Sequence, residues 1–269
     1  MKGRTDRGWL LGAVATATYL FLLAPIIIVV VSAFNSGEYL RFPPEGFSMR
    51  WFVRFAQSGP FVRAFTFSLR LAFFVTLAST VLGPMVALFV IRHARRVRDA
   101  LRLFAVAPLQ FPTILTGIAL LIFFYATGLG TRGMRPLFIG HTLVSLPYVF
   151  LTVSTVLVGF DRSLEEAARS LGAGPWVSFW RITLPIIKGG IISGALFAFI
   201  TSFDQFPISL LLTSVGNTTL PLQLFDHLRF SFDPTAAAVS TVSILLSVAI
   251  VALIRRLVGL ESIYWGGPR

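Results

Sequence analysis

The stretch DRSLEEAARSLGAGPWVSFWRITLPIIK, Asp161–Lys188, decides how this chain is read. It lies between two long apolar runs and is amphipathic rather than low in complexity. Ser163-Leu164-Glu165-Glu166 has the form of a capping box, in which the Ser163 hydroxyl accepts from the Glu166 amide while Glu166 reaches back. Leu164, Ala167, Ala168 and Leu171 follow at helical spacing and make a small apolar face. Gly172 and then Gly174-Pro175 end that helix. A second amphipathic run, Trp176 to Ile182, leads to Leu184-Pro185 at the mouth of the next apolar run. A short helix with a small-residue face, released by a glycine turn, suits close docking against a partner. The same pattern also describes a helix lying among lipid headgroups, and spacing does not separate the two.

Working outward, the chain is an all-α membrane protein. Of its 269 residues 55% are apolar and 13% charged, whereas a water-soluble domain carries roughly 25% charge. Phe, with 27 copies against five Trp and five Tyr, suits hydrocarbon because its ring has no hydroxyl to satisfy. A spanning helix needs about 20 mostly apolar residues. Six stretches qualify as transmembrane helices: Trp9–Phe34, Phe65–Ile91, Leu103–Ala126, Leu137–Phe160, Gly189–Thr213 and Ala236–Ile254. The first follows Lys2, Arg4 and Arg7 but outruns a signal-peptide core, so a retained anchor is expected. Pro108 and Pro112 predict kinks in the third. No repeat, low-complexity tract or linker divides residues 1–269, which read as a single transmembrane domain with 161–188 as its main inner connection.

The net charge of +12 raises nucleic acid as a partner, but the basic residues do not form a stripe on a soluble fold. Most lie in short segments between apolar runs, where they serve topology and contact with membrane lipid. One side collects Lys2, Arg4 and Arg7; Arg92, Arg95, Arg96, Arg98 and Arg102; Arg162, Arg169, Arg181 and Lys188; and Arg255, Arg256 and Arg269. That side is expected to be cytoplasmic, with both termini on it, in a multi-pass protein of the bacterial inner membrane. Arg41, Arg50, Arg54 and Arg63 in the first outer loop partly oppose the bias. That loop contains the turn-forming Pro43-Pro44-Glu45-Gly46, and Ser48–Phe52 predicts the start of an interfacial helix with Trp51 at headgroup depth. With no Cys, thiol catalysis and thiolate metal sites are excluded. His93 reads as solvated and His141 as a hydrogen-bonded interfacial residue, while the adjacent Asp226 and His227 do not make a metal site.

Glu166-Ala167-Ala168, three residues, Gly172, nine residues and Ile182-Thr183-Leu184-Pro185 resemble the EAA loop of bacterial ABC importer permeases. The resemblance implies a type I importer fold of six spans and a role for Glu165, Glu166, Ala167, Ala168, Leu171, Gly172, Leu184 and Pro185 in coupling to an ATPase. It further implies an ABC ATPase dimer, a second permease subunit in a heterodimer or else a second copy of this chain, and a periplasmic solute-binding protein as partners. ATP and Mg are then expected on the partner ATPase. This chain has no Gly-x-x-x-x-Gly-Lys-Ser/Thr loop, its only lysines being Lys2 and Lys188, and is expected to hold no cofactor and no metal and to be no enzyme.

Ser202-Phe203-Asp204-Gln205-Phe206, Leu220-Pro221-Leu222 and Phe232-Asp233-Pro234-Thr235 resemble the polyamine branch of these permeases. That implies a small cationic amine as solute; related permeases carry ferric iron, thiamine, phosphonates or opine-type compounds. Asp204, with Phe203 and Gln205, is the candidate pathway site. It lies roughly 22 Å along the fifth span from its inner end, and intramembrane acids usually face a bundle interior or watery cavity. The alternatives are an ion pair with Arg70 or a structural hydrogen bond with Gln205. A self-contained secondary transporter would need coupling-ion residues and a repeat. An intramembrane enzyme would need a nucleophile–base or metal-ligand pair. Neither pattern is visible in the sequence. Gly189, Gly190, Gly194 and Ala195 predict close helix packing, with the partner permease as one candidate neighbour.

Overall fold

The computed structural model describes residues 5–94 and 96–258. Lys2, Arg4, Arg95 and Arg269 of the charge count, and the side chains of Arg7 and Arg255, lie outside the described part. The described chain is helical apart from loops and one isolated bridge, Asn35 with Phe47. Five helical stretches are long and apolar enough to cross a bilayer: Leu11–Ser32, Gly59–Arg92, Arg135–Val158, Pro175–Phe203 and Thr235–Leu253. They belong to α1 (Thr5–Ser32), α3 (Gly59–Arg92), α6 (Arg135–Val158), the rod formed by α8 (Pro175–Ser178) and α9 (Leu184–Phe203), and α12 (Thr235–Val258).

The third expected span is broken. It forms α4 (Arg98–Gln110) and α5 (Thr113–Ala126), bent by 101°. At 1.5 Å per residue each arm is about 20 Å long, short of the roughly 30 Å hydrocarbon core. Pro112 causes the break: it has no N–H, and Phe111 before it is extended, with ψ 143°. Pro108 stays inside α4.

The fifth span is shifted. The run expected as a separate amphipathic segment is α8 (Pro175–Ser178), joined through a π-turn at Phe179–Thr183 to α9 (Leu184–Phe203). Helix stops at Asp204 and resumes as α10 (Pro207–Leu212), because Pro207 has no N–H to offer the Phe203 carbonyl.

Packing sorts the chain into two compact units. One comprises Arg63–Gln223 and the residues from Ser247 onward. Its core is α6, which is buried on several faces because other helices surround it. Toward one end of α6, Val149, Phe150 and Val153 pack with Ala87 and Val90 of α3 and Ile187 and Ala198 of α9. Toward the other, Leu137 and Val144 pack with Leu71 and Val75, Phe124 of α5, and Ile208 and Leu212 of α10. The glycine stripe of α9 faces α6 of this same chain. A Cβ on Gly194 would stand 2.6 Å from Val149 Cα, and one on Gly190 2.9 Å from the Thr152 carbonyl. These two glycines therefore serve the chain's own core.

The other unit comprises the residues up to Val62 with Leu224–Leu246. Its centre is Trp51 on α2 (Arg50–Gln57), packed with Ala33, Ala237 and Ala238. Trp51 is 3% exposed and its indole N–H donates to the Asn35 carbonyl at 2.7 Å, so it is a core residue rather than the headgroup anchor expected. Three arginines of the connection between α1 and α3 have structural partners. Arg41 pairs with Glu45, Arg50 lies 4.4 Å over the Trp51 ring and donates to the Gly37 carbonyl, and Arg54 pairs with Asp233 at 3.3 Å. Asp233 also accepts from His227 at 3.1 Å and from the Thr235 amide at 2.9 Å.

Gly194→Val is expected to lower the thermal unfolding midpoint of the detergent-solubilised protein, at a cost of about 1–3 kcal/mol for overpacking. Gly12→Ala, with nothing within 4 Å of the added Cβ, should leave it unchanged; thermal melts of the two variants check this.

Candidate functional site

The connection after α6 folds into α7 (Ser163–Ser170). Its entry is not the capping box expected. Ser163 is already helical, and Asp161 accepts from the Ser163 amide at 2.9 Å instead. Its exit follows the sequence closely. The Gly172 amide donates to the Arg169 carbonyl at 2.9 Å and the Ala173 amide to the Ala168 carbonyl at 3.0 Å, a Schellman closure. That closure requires a left-handed residue, and Gly172 has φ +86°.

A helix of eight residues is too short to persist on its own. What holds it is Glu165, 8% exposed, which accepts from Arg92 at 2.8 Å and from the Thr183 hydroxyl. Arg92 ends α3 and also lies 5.4 Å over the Phe160 ring, while Arg162 donates to the Ile91 carbonyl at 3.4 Å. Thr183 is the last residue of the π-turn. Burial pushes the Glu165 carboxyl up, but hydrogen bonds from Thr183 and Arg92, with the charges of Arg92 and Arg169, outweigh it and hold it below the usual carboxylate range. The brace is therefore ionised at neutral pH and is lost only as pH falls below the ordinary glutamate range.

The sequence-named coupling residues separate into two groups. Glu166, Ala167, Leu171 and Gly172 are exposed, Leu171 at 90%, and Ala168 is half-buried. With Leu164 and with Trp176 and Trp180 on the next segment they leave a large apolar surface uncovered. Glu165 faces inward, Leu184 packs into the core with Ile187 and Leu157, and Pro185 lies in the first turn of α9. Arg92 and Thr183, which complete the brace, were not singled out by sequence; Arg92 had been counted only as a topological charge. An arginine in the last turn of one span and a glutamate early in a later connection were the available signals.

The second candidate lies at the break after α9. Asp204 caps α9, is exposed, and has no ion pair among the described residues, so the expected alternative with Arg70 is not formed. Gln205 is buried and its side-chain nitrogen has no partner, so it does not bond Asp204. Phe203 is buried between Phe65 and Phe199, each with its ring centroid 6.0 Å away. The break is tied to α6 by His141, which is fully buried. Ser209 donates its one hydroxyl proton to the Gln205 carbonyl at 2.6 Å, so it accepts from His141 Nε2 at 3.1 Å. His141 Nδ1 lies 3.1 Å from both the carbonyl and the hydroxyl of Ser202. His141 is thus a core node rather than the interfacial residue expected.

Residues 79–260 match the family of binding-protein-dependent transport system inner membrane components. The chain is 35% identical over 242 residues to the putrescine transport system permease protein PotI of Escherichia coli (strain K12), covering 88% of this chain and 85% of that one. It is 31% identical over 248 residues to the spermidine/putrescine transport system permease protein PotC of Haemophilus influenzae (strain ATCC 51907 / DSM 11121 / KW20 / Rd), covering 92% and 96%. Among solved structures, a chain of the bacterial alginate ABC transporter, in complex with its alginate pentasaccharide-bound periplasmic protein, superposes with TM-score 0.74 at 18% identity over 98% of both chains. A chain of the MetNI methionine ABC transporter superposes with TM-score 0.63 at 20% identity over 75% of this chain and 98% of that one. The fold is that of a type I importer permease.

Glu165→Gln is expected to loosen α7, costing about 1–3 kcal/mol for a buried polar group left without its ionic partner. Hydrogen exchange across 161–183 should accelerate while the α6 core stays protected. Adding Arg92→Gln should cost little more, because the two residues share one interaction.

Proposed function

We propose that this chain, which belongs to the family of binding-protein-dependent transport system inner membrane components, forms half of the translocation pathway for a small cationic amine of the polyamine class. It is a multi-pass inner-membrane permease subunit of an ABC importer. In this reading a periplasmic solute-binding protein delivers the amine, a second permease subunit supplies the other half of the pathway, and an ATPase dimer on separate chains binds ATP and Mg. Both termini lie in the cytoplasm. The orientation is supported by the arginine-rich connections gathered on one side, and by the structural partners that Arg41, Arg50 and Arg54 take in the opposing loop.

The observation that carries coupling is the apolar surface on α7 and the segment after it, with Leu171 90% exposed on a helix that its own chain braces from behind. Exposed large apolar surface on a rigid support marks an interaction site. When the ATPase pair closes, a knob fixed to α3 by Arg92 and to the α9 rod by Thr183 transmits the displacement to the spans.

The amine assignment is supported by the named substrates of the PotI and PotC relatives and by Asp204. An exposed carboxylate without an ion pair, at a break in a membrane helix, suits an ammonium group, since such breaks line protein-enclosed or watery cavities. The family's other cargoes, ferric iron, thiamine, phosphonates and opine-type compounds, are competitors that direct assay separates.

Leu171→Asp is expected to abolish co-purification of the ATPase while the permease still inserts and melts normally; retained co-purification would remove α7 as the docking element. Asp204→Asn should keep the ATPase bound yet cut putrescine or spermidine uptake by about tenfold or more, the scale of one charge-assisted contact. Unchanged uptake would remove Asp204 from the pathway. Stimulation of reconstituted ATPase activity across amines, thiamine and phosphonates identifies the cargo.

A further inference from the structure

A cavity of about 500 Å³ opens between α3, α4 and α6. Its walls include Met85 and Phe89 of α3, Leu101 and Ala105 of α4, and Leu146 of α6, and among the described residues no polar side chain lines it. Met85, Phe89 and Phe104 are more than half exposed, so the groove is open along its side. Seven residues separate Leu101 from Pro108 along α4, giving the groove about 10 Å of length on that helix. An open, dry slot of this kind in a membrane protein has room for a hydrocarbon chain.

One flank of the slot is basic. Arg98 and Arg102, one turn apart on α4, stand beside the Leu101 and Ala105 edge of the groove at helical spacing. Neither forms an ion pair among the described residues. Arg96 adds to the positive charge, and Asp99 is the one acid on this stretch. Arg92 is excluded because Glu165 already holds it. A neighbouring protein helix would fill the slot and leave these guanidinium groups without counter-charge, as would a neutral lipid. An anionic phospholipid satisfies both the slot and its basic flank.

We propose that α3, α4 and α6 form a binding site for one anionic phospholipid, with an acyl chain in the apolar groove and the phosphate on Arg98 and Arg102. The site requires only that the chain lie in a bilayer. The orientation proposed above adds that the lipid belongs to the cytoplasmic leaflet, and the amine assignment plays no part. Basic residues near a membrane surface each favour anionic lipid by about 1 kcal/mol, or roughly fivefold.

The test uses the full-length protein with its co-purifying partners in phosphatidylcholine nanodiscs. These carry a tracer of either phosphatidylglycerol or phosphatidylcholine, each with a photoactivatable group on the acyl tail. Labelling of peptides 82–90 and 101–108 is expected to be at least fivefold higher with phosphatidylglycerol. Arg98→Gln with Arg102→Gln should reduce it to the phosphatidylcholine level, and Ala105→Trp should lower both. Equal labelling by the two tracers in the unmodified protein overturns the proposal without need of any variant. So does an unlabelled groove from which a crosslinker at residue 104 captures the second permease subunit. Uptake and ATPase activity are not part of the readout, so a failed amine assignment leaves this test standing.

Discussion

One carboxylate holds the cytoplasmic connection proposed here to its membrane helices. Glu165 takes hydrogen bonds from Arg92 at the end of α3 and from Thr183 just before α9, and these are the buried side-chain bonds that tie the eight-residue α7 to the spans. A helix of that length is below the roughly 12 residues at which isolated helices become marginal in water. Its order must therefore come from the tether and from the Schellman closure at Gly172. The brace is polar and faces inward, which leaves Leu164, Leu171 and Trp176 to face outward, uncovered by any of the described residues. Rigidity behind and bare apolar area in front are what a force-transmitting contact requires, since a flexible loop would dissipate the displacement.

The break between α9 and α10 obeys a different constraint. Backbone that leaves the helical ladder at membrane depth must find other partners. Here Ser209 satisfies the Gln205 carbonyl, and His141 locks Ser209 and Ser202 to α6. The node fixes the break in place, so that Asp204 can stand exposed beside a rigid rather than a frayed helix end. Phe203 contributes packing against Phe65 and Phe199 to the same end. Support and exposed acid thus occupy successive residues with opposite environments.

The elements legible from sequence were those governed by local rules. Apolar length located the membrane helices, and Gly172 announced the end of α7 because no residue with a Cβ easily adopts φ +86°. Pro112 announced the interruption of the third span, though its size, 101°, depends on what the two arms pack against. Errors came where a side chain's meaning depends on distant residues. Trp51 reads as a headgroup anchor until Asn35, Ala237 and Ala238 are seen to enclose it. The stripe of Gly190 and Gly194 is equally compatible with a partner helix until Val149 and Thr152 are found against it.

By itself, the sequence determined that this chain is helical and membrane-embedded, where its longest amphipathic connection lies, and which glycine turns that connection back. Those properties follow from apolar run length, charge distribution and backbone sterics, which act over a few neighbouring residues. Only the tertiary structure decided that Glu165 faces inward while Leu171 faces out, that Arg92 is a brace rather than merely a topological charge, and that Asp204 has no ion pair among the described residues. Each of these depends on groups up to 73 positions apart, as Arg92 and Glu165 are, brought within 2.8 Å by helix packing. No local periodicity encodes that distance.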